Sequence, residues 1–367
     1  MKLLQLQVFI LFCFLKCRRS TQNIVFREGY DVDEKPPGRV QVNASLNLRN
    51  IISVSEKEQT ISLEMTLRMF WKDERLSIVD SGDLLRDPTH YNLSYEVQTR
   101  KQLDNIWIPD LFVDEAKAVR NPTYKVPPES LRLYEDGSLR FSKRFNFDVA
   151  CRMDFQKYPV DTQECIVHLE SFTYSQEVLV FKWLRGEDTI TNNPNISLAH
   201  YYYNMTTEEY DTKNKNTHNY QESFSGLAIK IKLTRKTRVY TVQDILPSFL
   251  YVWIAYFAVL MPSDVPGVRT ALVLFPILNL TTLTNRIRTE IPAPSVLTYM
   301  DLWLACCLTF IFSSLVTIVS TAVLIRYKKE VWKKIEFWFK VLYPTIFVFL
   351  ISVYGAALKN PLPTTNP

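Results

Sequence analysis

Glycine and histidine are scarce in this chain, with 8 and 4 copies among 367 residues. So few glycines leave no G-x-G-x-x-G or P-loop pattern, which excludes a glycine-rich phosphate cradle. His90, His168, His200 and His218 show no ligand spacing with one another or with cysteine, so no metal site is expected. Charge of one sign is also lacking: 43 Lys plus Arg stand against 38 Asp plus Glu, a net +5. No long basic stretch with interleaved aromatics marks a nucleic-acid groove. No nucleophile-elbow motif gathers Ser, His and Asp, so the pattern supports neither an enzyme nor a cofactor. Repeats and low-complexity tracts are missing, and 47% hydrophobic with 22% charged residues excludes disorder and collagen. At roughly 100 to 200 residues per domain, the length predicts two or three structural units.

Long apolar runs are present, and they are unevenly placed. Residues 1–20 carry Lys2, an apolar run from Leu3 to Leu15, then Lys16, Arg18 and Arg19, the pattern of a secretory signal peptide. The mature chain then begins outside the cell. Beyond about Ile245, four runs each reach the ~20 residues that a bilayer-spanning helix needs. They are expected at 241–262, 268–287, 297–325 and 337–358. The second is the most polar, with Thr270, Asn279, Thr281, Thr282, Thr284 and Asn285. Four crossings from outside place the short link 326–336 in the cytoplasm, where its Arg326, Lys328, Lys329, Lys333 and Lys334 satisfy the positive-inside rule.

Residues 21–240 read as antiparallel sheet. Leu139, Phe141, Phe145, Phe147 and Val149 alternate with polar neighbours, broken at Lys143, and Leu227, Ile229, Ile231 and Leu233 alternate with Lys230 and Lys232. Turn signals such as Glu135-Asp136-Gly137 separate the runs, so an all-β, immunoglobulin-like sandwich is predicted ahead of a four-helix membrane bundle. Of 6 cysteines, Cys13 and Cys17 fall in the leader and Cys306 and Cys307 in the third membrane run. Cys151 and Cys165 remain in an oxidising compartment and are expected to form a disulfide. Sequons at Asn43, Asn92, Asn195 and Asn204 agree with secretion.

The stretch Cys151-Arg-Met-Asp-Phe-Gln-Lys-Tyr-Pro-Val-Asp-Thr-Gln-Glu-Cys165, followed by Leu169-Glu-Ser-Phe-Thr-Tyr174, resembles the signature loop of Cys-loop receptors, the pentameric ligand-gated ion channels. Trp71-Lys-Asp-Glu-Arg-Leu76, Trp107-Ile-Pro-Asp110, Arg235 and Asp301-Leu-Trp303 follow in family order, and the likeness is greatest to the glycine and GABA receptor branch. It covers nearly the whole mature chain. It implies a plasma-membrane, agonist-opened channel of five subunits, this chain with four further identical or homologous ones, around a central pore.

The second membrane run is the pore candidate on its own pattern. Ala271, Phe275, Leu278, Thr282, Asn285 and Thr289 recur every three or four residues, so they share one helix face. A ring of Leu278, at the family's gate position, would close the path by dewetting. At the cytoplasmic mouth, Gly267, Val268 and Arg269 replace the Glu of cation channels, and Pro266-Gly-Val-Arg269 resembles the Pro-Ala-Arg motif of chloride channels. A ring of Arg269 is therefore expected to attract anions, with chloride as the permeating ion. Pro276 inside the helix and Phe275 one turn below Leu278 depart from the family pattern.

For the agonist, the resemblance implies a site between subunits. Phe112, Phe172, Phe224 and Tyr220 match aromatic-box positions on the principal face, with Glu170 as partner for an amine. Arg68 and Ser142 match carboxylate-holding positions on the complementary face, while Thr66 replaces the usual aromatic there. No vicinal cysteine pair lies between Tyr201 and Phe224, which counts against a nicotinic acetylcholine site. Coupling to the pore is assigned by resemblance to Glu56, Tyr158, Pro159, Asp161 and Arg235, facing Pro292 in the linker after the pore helix. The alternatives are a cation-selective relative opened by an amine, protons or a metal ion, and a non-conducting accessory subunit.

Overall fold

The computed structural model describes residues 24–78, 85–86, 93–97, 103–120, 128–184, 189–217, 220–291, 297–327 and 330–359. The expected leader, Asn92 and Pro292 lie outside the described residues, and the side chain of Tyr220 is likewise not described. The strands in chain order are β1 (Ile24–Phe26), β2 (Val40–Ser55), β3 (Thr60–Lys72), β4 (Leu76–Ile78), β5 (Leu85–Arg86), β6 (Leu93–Val97), β7 (Leu111–Val113), β8 (Ala116–Arg120), β9 (Glu129–Tyr134), β10 (Ser138–Ala150), β11 (Thr162–Ser171), β12 (Leu179–Trp183), β13 (Ile190–Asn192), β14 (Tyr201–Thr217) and β15 (Tyr220–Arg235).

Two sheets make the sandwich. One runs β12-β2-β3-β10-β9-β6-β5, with β13 on β2 and β8 on β10; the other runs β14-β15-β11-β7. Their facing sides follow the period-two pattern of the sequence. Leu139, Phe141, Phe147 and Val149 of β10 are buried against Leu227, Ile229, Ile231 and Leu233 of β15 and Cys165, Val167 and Leu169 of β11. Lys143 breaks the alternation because it pairs with Glu129 of β9 at 3.4 Å. Trp71 and Trp107 meet edge to face at 6.3 Å inside the sandwich. The Cys151–Cys165 disulfide is formed.

Four helices long and apolar enough to span a bilayer follow. The first, α1 (Leu246–Leu260), continues directly from a helical turn at Thr237–Tyr240 and a π-helical turn at Thr241–Ile245. Pro247, which has no N–H to donate, follows directly on that π-helical turn. Next comes α2 (Pro266–Glu290), unbroken through Pro276, and then α3 (Tyr299–Arg326), whose start is fixed by a capping box between Thr298 and Asp301. Trp303 of α3 donates to Ser248 Oγ of α1 at 2.8 Å. The last, α4 (Val331–Lys359), begins before the expected 337, so Val331 to Glu336 belong to the helix. Lys333 and Lys334 lie in the helix's first turns, with Lys333 3.7 Å from Glu330; one turn on, Lys340 is 3.5 Å from Glu336.

Candidate functional site

Alternation puts Glu170 on the outer side of the four-stranded sheet, because Gln163, Cys165, Val167 and Leu169 point inward. Register then sets one row across the sheet: Phe112 of β7, Glu170 of β11, Gly226 of β15 and Tyr210 of β14. Phe112 and Phe172 meet edge to face at 5.7 Å, and Phe172 is 78% exposed. Phe224 lies two residues from Gly226 on the same side of β15. Glu170 is buried, and the Tyr210 hydroxyl donates to its Oε2 at 3.2 Å. Burial and that carboxylate push the Tyr210 phenol well above its ordinary pKa. Beneath Tyr210, the His168 ring packs at 4.7 Å and pairs through Nδ1 with Glu115. The cluster of Tyr210, His168 and Glu115 has no counterpart in the sequence motifs; Gly226, just ahead of the alternating run of β15, is the residue opposite Tyr210.

Arg68 and Ser142 are cross-strand partners on β3 and β10, both half-buried. Their inward neighbours Leu67, Met69 and Phe141 are in the core, so the pair faces outward from the larger sheet. Thr66 is buried beside them and accepts from Arg49 Nε at 2.8 Å. The acid-bearing aromatic cluster and the Arg68–Ser142 pair therefore occupy opposite outer faces of one sandwich. A small ligand touching both needs two copies of the domain.

At the foot of the sandwich, Arg235 is buried and fully engaged. Nε and Nη2 donate to the two oxygens of Asp161 at 2.6 and 3.0 Å, and Nη1 donates to Glu56 Oε1 at 2.6 Å and to the Tyr240 hydroxyl at 3.0 Å. Its carbon centre lies 4.8 Å from the Tyr158 and Tyr201 ring centres. Burial alone would lower its pKa; the hydrogen bonds it donates to Asp161 and Glu56 outweigh this and raise it. The disulfide loop also touches the membrane bundle directly, because Tyr299 N at the start of α3 donates to Gln156 O at 3.1 Å. Gln156 was absent from the sequence-based set, since a backbone acceptor leaves no side-chain signal.

In the bundle, α2 buries Arg269, Val273, Pro276, Leu280 and Ile287. Ala271, Phe275, Leu278, Thr282, Asn285 and Thr289 are all exposed in the single chain, Leu278 at 67%. The hydroxyls of Thr282 and Thr289 donate back to Asn279 O and Arg286 O of their own helix.

Residues 20–237 match the family model described as the neurotransmitter-gated ion-channel ligand binding domain. This chain belongs to the Cys-loop receptor family. The family comprises ligand-gated channels, not enzymes. A relative of this receptor chain, the gamma-aminobutyric acid receptor subunit beta of Lymnaea stagnalis, is 28% identical over 295 residues. The match covers 78% of this chain and 57% of the relative, so the chain spans little more than half of that protein's length. The sandwich is thus the part that matches the family's ligand binding domain, and among the described residues four helices long and apolar enough to cross a membrane follow it.

One expectation fails within the receptor's membrane part. Arg269 does not point into a mouth: it is 2% exposed and bonds to Glu336. Nine residues separate it from Leu278, which at about 3.6 residues per turn is two and a half turns, so the two lie on opposite faces. Arg286 is engaged by Asp244, and Arg288 Nε lies 3.8 Å from Asp301. Among the described sequons, Asn195 and Asn204 are exposed, whereas Asn43 is half-buried within β2 and accepts from Gln41 at 3.1 Å.

Proposed function

We propose that this chain is a subunit of a plasma-membrane channel in which five sandwiches bind agonist at their junctions and five α2 helices line the pore. The observation that carries this reading is the phase of α2. The stripe from Ala271 to Thr289 lies opposite the residues that pack into the bundle, which leaves it free to face a shared axis. Leu278 is the apolar constriction at rest.

Division of the ligand groups between opposite faces supports a small zwitterion as agonist. Its ammonium meets Glu170, Phe112, Phe172 and Phe224 of one subunit, and its carboxylate meets Arg68 and Ser142 of the next. The name of the Lymnaea relative makes γ-aminobutyrate the first compound to try. For chloride selectivity, support comes from the first turn of α2, which carries no carboxylate at Pro266, Gly267, Val268 or Arg269, and from the engagement of Asp244 by Arg286. Coupling runs through Arg235, Asp161 and Glu56, with Tyr158 and Pro159 beside them, to the start of α3.

Currents from cells expressing only this chain test the proposal, with amino acids, amines, zinc and acidic pH as stimuli. Agonist currents whose reversal potential follows the chloride gradient are expected. A reversal potential that ignores chloride would assign the chain to the cation-selective alternative. Phe275, 57% exposed on the pore stripe, favours a second reading, the accessory subunit. Silence alone with currents restored by a partner subunit distinguishes it.

A further inference from the structure

The base of α2 carries a buried cation that three helices share. Arg269 Nε donates to Ala258 O at 3.1 Å, and Nη2 donates to Val259 O at 3.0 Å and to Glu336 Oε1 at 2.8 Å. Ala258 and Val259 end α1, where carbonyls have no partner within the helix, so the guanidinium closes that end with the favourable sign of charge. Glu336 sits in the second turn of α4, is 7% exposed, and also receives Lys340 from the next turn. An ion pair at membrane depth is costly and persists only when both charges are fully partnered.

Helix α4 faces outward along Phe337, Trp338, Val341 and Phe349, all exposed. Tyr256 and Tyr343 tie it to α1 through backbone acceptors at 3.0 and 3.3 Å. Glu336 reaches from it to Arg269 of α2. Removing the carboxylate leaves the guanidinium without its counter-charge at the end of α1. Turning that group toward the cytoplasmic water relieves the imbalance, and the turn moves the residues next to it in the chain, Gly267 and Val268, at the proposed mouth.

We propose that Glu336 is a positioning residue for the pore: by holding Arg269 it fixes the first turn of α2, so that the lipid-facing helix is joined to the cytoplasmic mouth. The proposal rests on the reading of α2 as pore-lining.

The test uses the full chain carrying Glu336→Gln or the milder Glu336→Asp, with two readouts. One is unit conductance in agonist-evoked single-channel records. The other needs no current: the rate at which a membrane-impermeant cationic methanethiosulfonate, applied from the cytoplasmic side, modifies a reporter Val268→Cys. Cys151 and Cys165 are bonded to each other and Cys306 and Cys307 lie within α3, so the chain without the reporter supplies the background. Glu336→Gln is expected to change both quantities by about threefold or more, and Glu336→Asp to change them in the same direction by less. A purely structural role would lower the amount of protein at the surface and leave conductance and modification rate of the surviving channels unchanged; that result overturns the proposal. If Glu336→Gln does not reach the membrane, Glu336→Asp decides by the same criterion. If the chain proves silent to every stimulus, the modification rate alone decides: a shifted rate upholds the link between α4 and α2 while the channel reading fails, and an unshifted rate overturns the link.

Discussion

Tyr210 lies so close over Gly226 that a β-carbon built on that glycine would stand 2.4 Å from Tyr210 Cζ. The glycine is therefore a packing requirement, and its consequence is the placement of the Tyr210 hydroxyl on Glu170. Gly226→Ala must push the ring away. Tyr210→Phe keeps the ring and deletes the hydrogen bond, worth about 1.5 to 3 kcal/mol when the acceptor is charged. Both variants are expected to raise the half-maximal concentration of an amine agonist on the order of tenfold, with maximal current retained in Tyr210→Phe. Concentration–response curves check this, and wild-type sensitivity in Gly226→Ala would remove Tyr210 from the binding face.

Sandwich and bundle were legible because both rest on periodicity. In β10 and β15 the alternation carries Leu139, Phe141, Phe147, Val149, Leu227, Ile229, Ile231 and Leu233 into the core, and the polar break at Lys143 is explained by Glu129 on the neighbouring strand, which no single-strand pattern reveals. The burial of Arg269 was also legible in principle: its phase relative to Leu278 is fixed by helix geometry, and only attention to its charge led to the pore mouth instead. Tyr210 was not legible. It reaches Glu170 across β15, and the long polar tip between Glu208 and Tyr220 hides the hairpin register from which the contact follows.

The junction gives a sharper stability test. Asp161 and Arg235 are both buried; removing Arg235 leaves Asp161 and Glu56 without their cation, at a cost of about 3 to 5 kcal/mol, while removing Asp161 leaves Arg235 with Glu56 alone and costs less. Asp161→Ala and Arg235→Ala are expected to lose surface assembly, read by surface biotinylation and by size exclusion of solubilised receptor. Arg235→Lys should rescue only partly, because one ammonium cannot reproduce the fork that reaches Asp161 and Glu56 together. Full surface levels in Asp161→Ala would show that the pair is dispensable.

Cys151 and Cys165 close the loop that meets the bundle through Gln156 and Tyr299. Loss of a native disulfide from a secreted domain costs about 2 to 5 kcal/mol. Cys165→Ser should therefore keep the receptor from the surface, and Cys151→Ser/Cys165→Ser should do no better, because the loss is of the cross-link and not of a stray thiol. Normal delivery of the double variant, measured by the same biotinylation, would deny the loop its role.

Leu278 offers the most direct test of the pore. Its side chain is 67% exposed in the single chain, and five of them around an axis would form a ring whose wetting is opposed by about 25 cal/mol for every Å² of apolar surface. Thr282, one turn above, shows the alternative: a hydroxyl that satisfies itself on Asn279 O and still tolerates water. Leu278→Thr makes the constriction resemble that next turn, so water should enter without outward tilting of the helices. The resting current should rise before any agonist is added, and the agonist concentration needed for half-maximal opening should fall by at least about tenfold, since the reduction acts at every member of the ring. Holding current and concentration–response curves measure both quantities. An unchanged resting current, together with labelling of Leu278→Cys only by lipid-soluble reagents, would turn the stripe toward the bilayer and leave α2 without a pore.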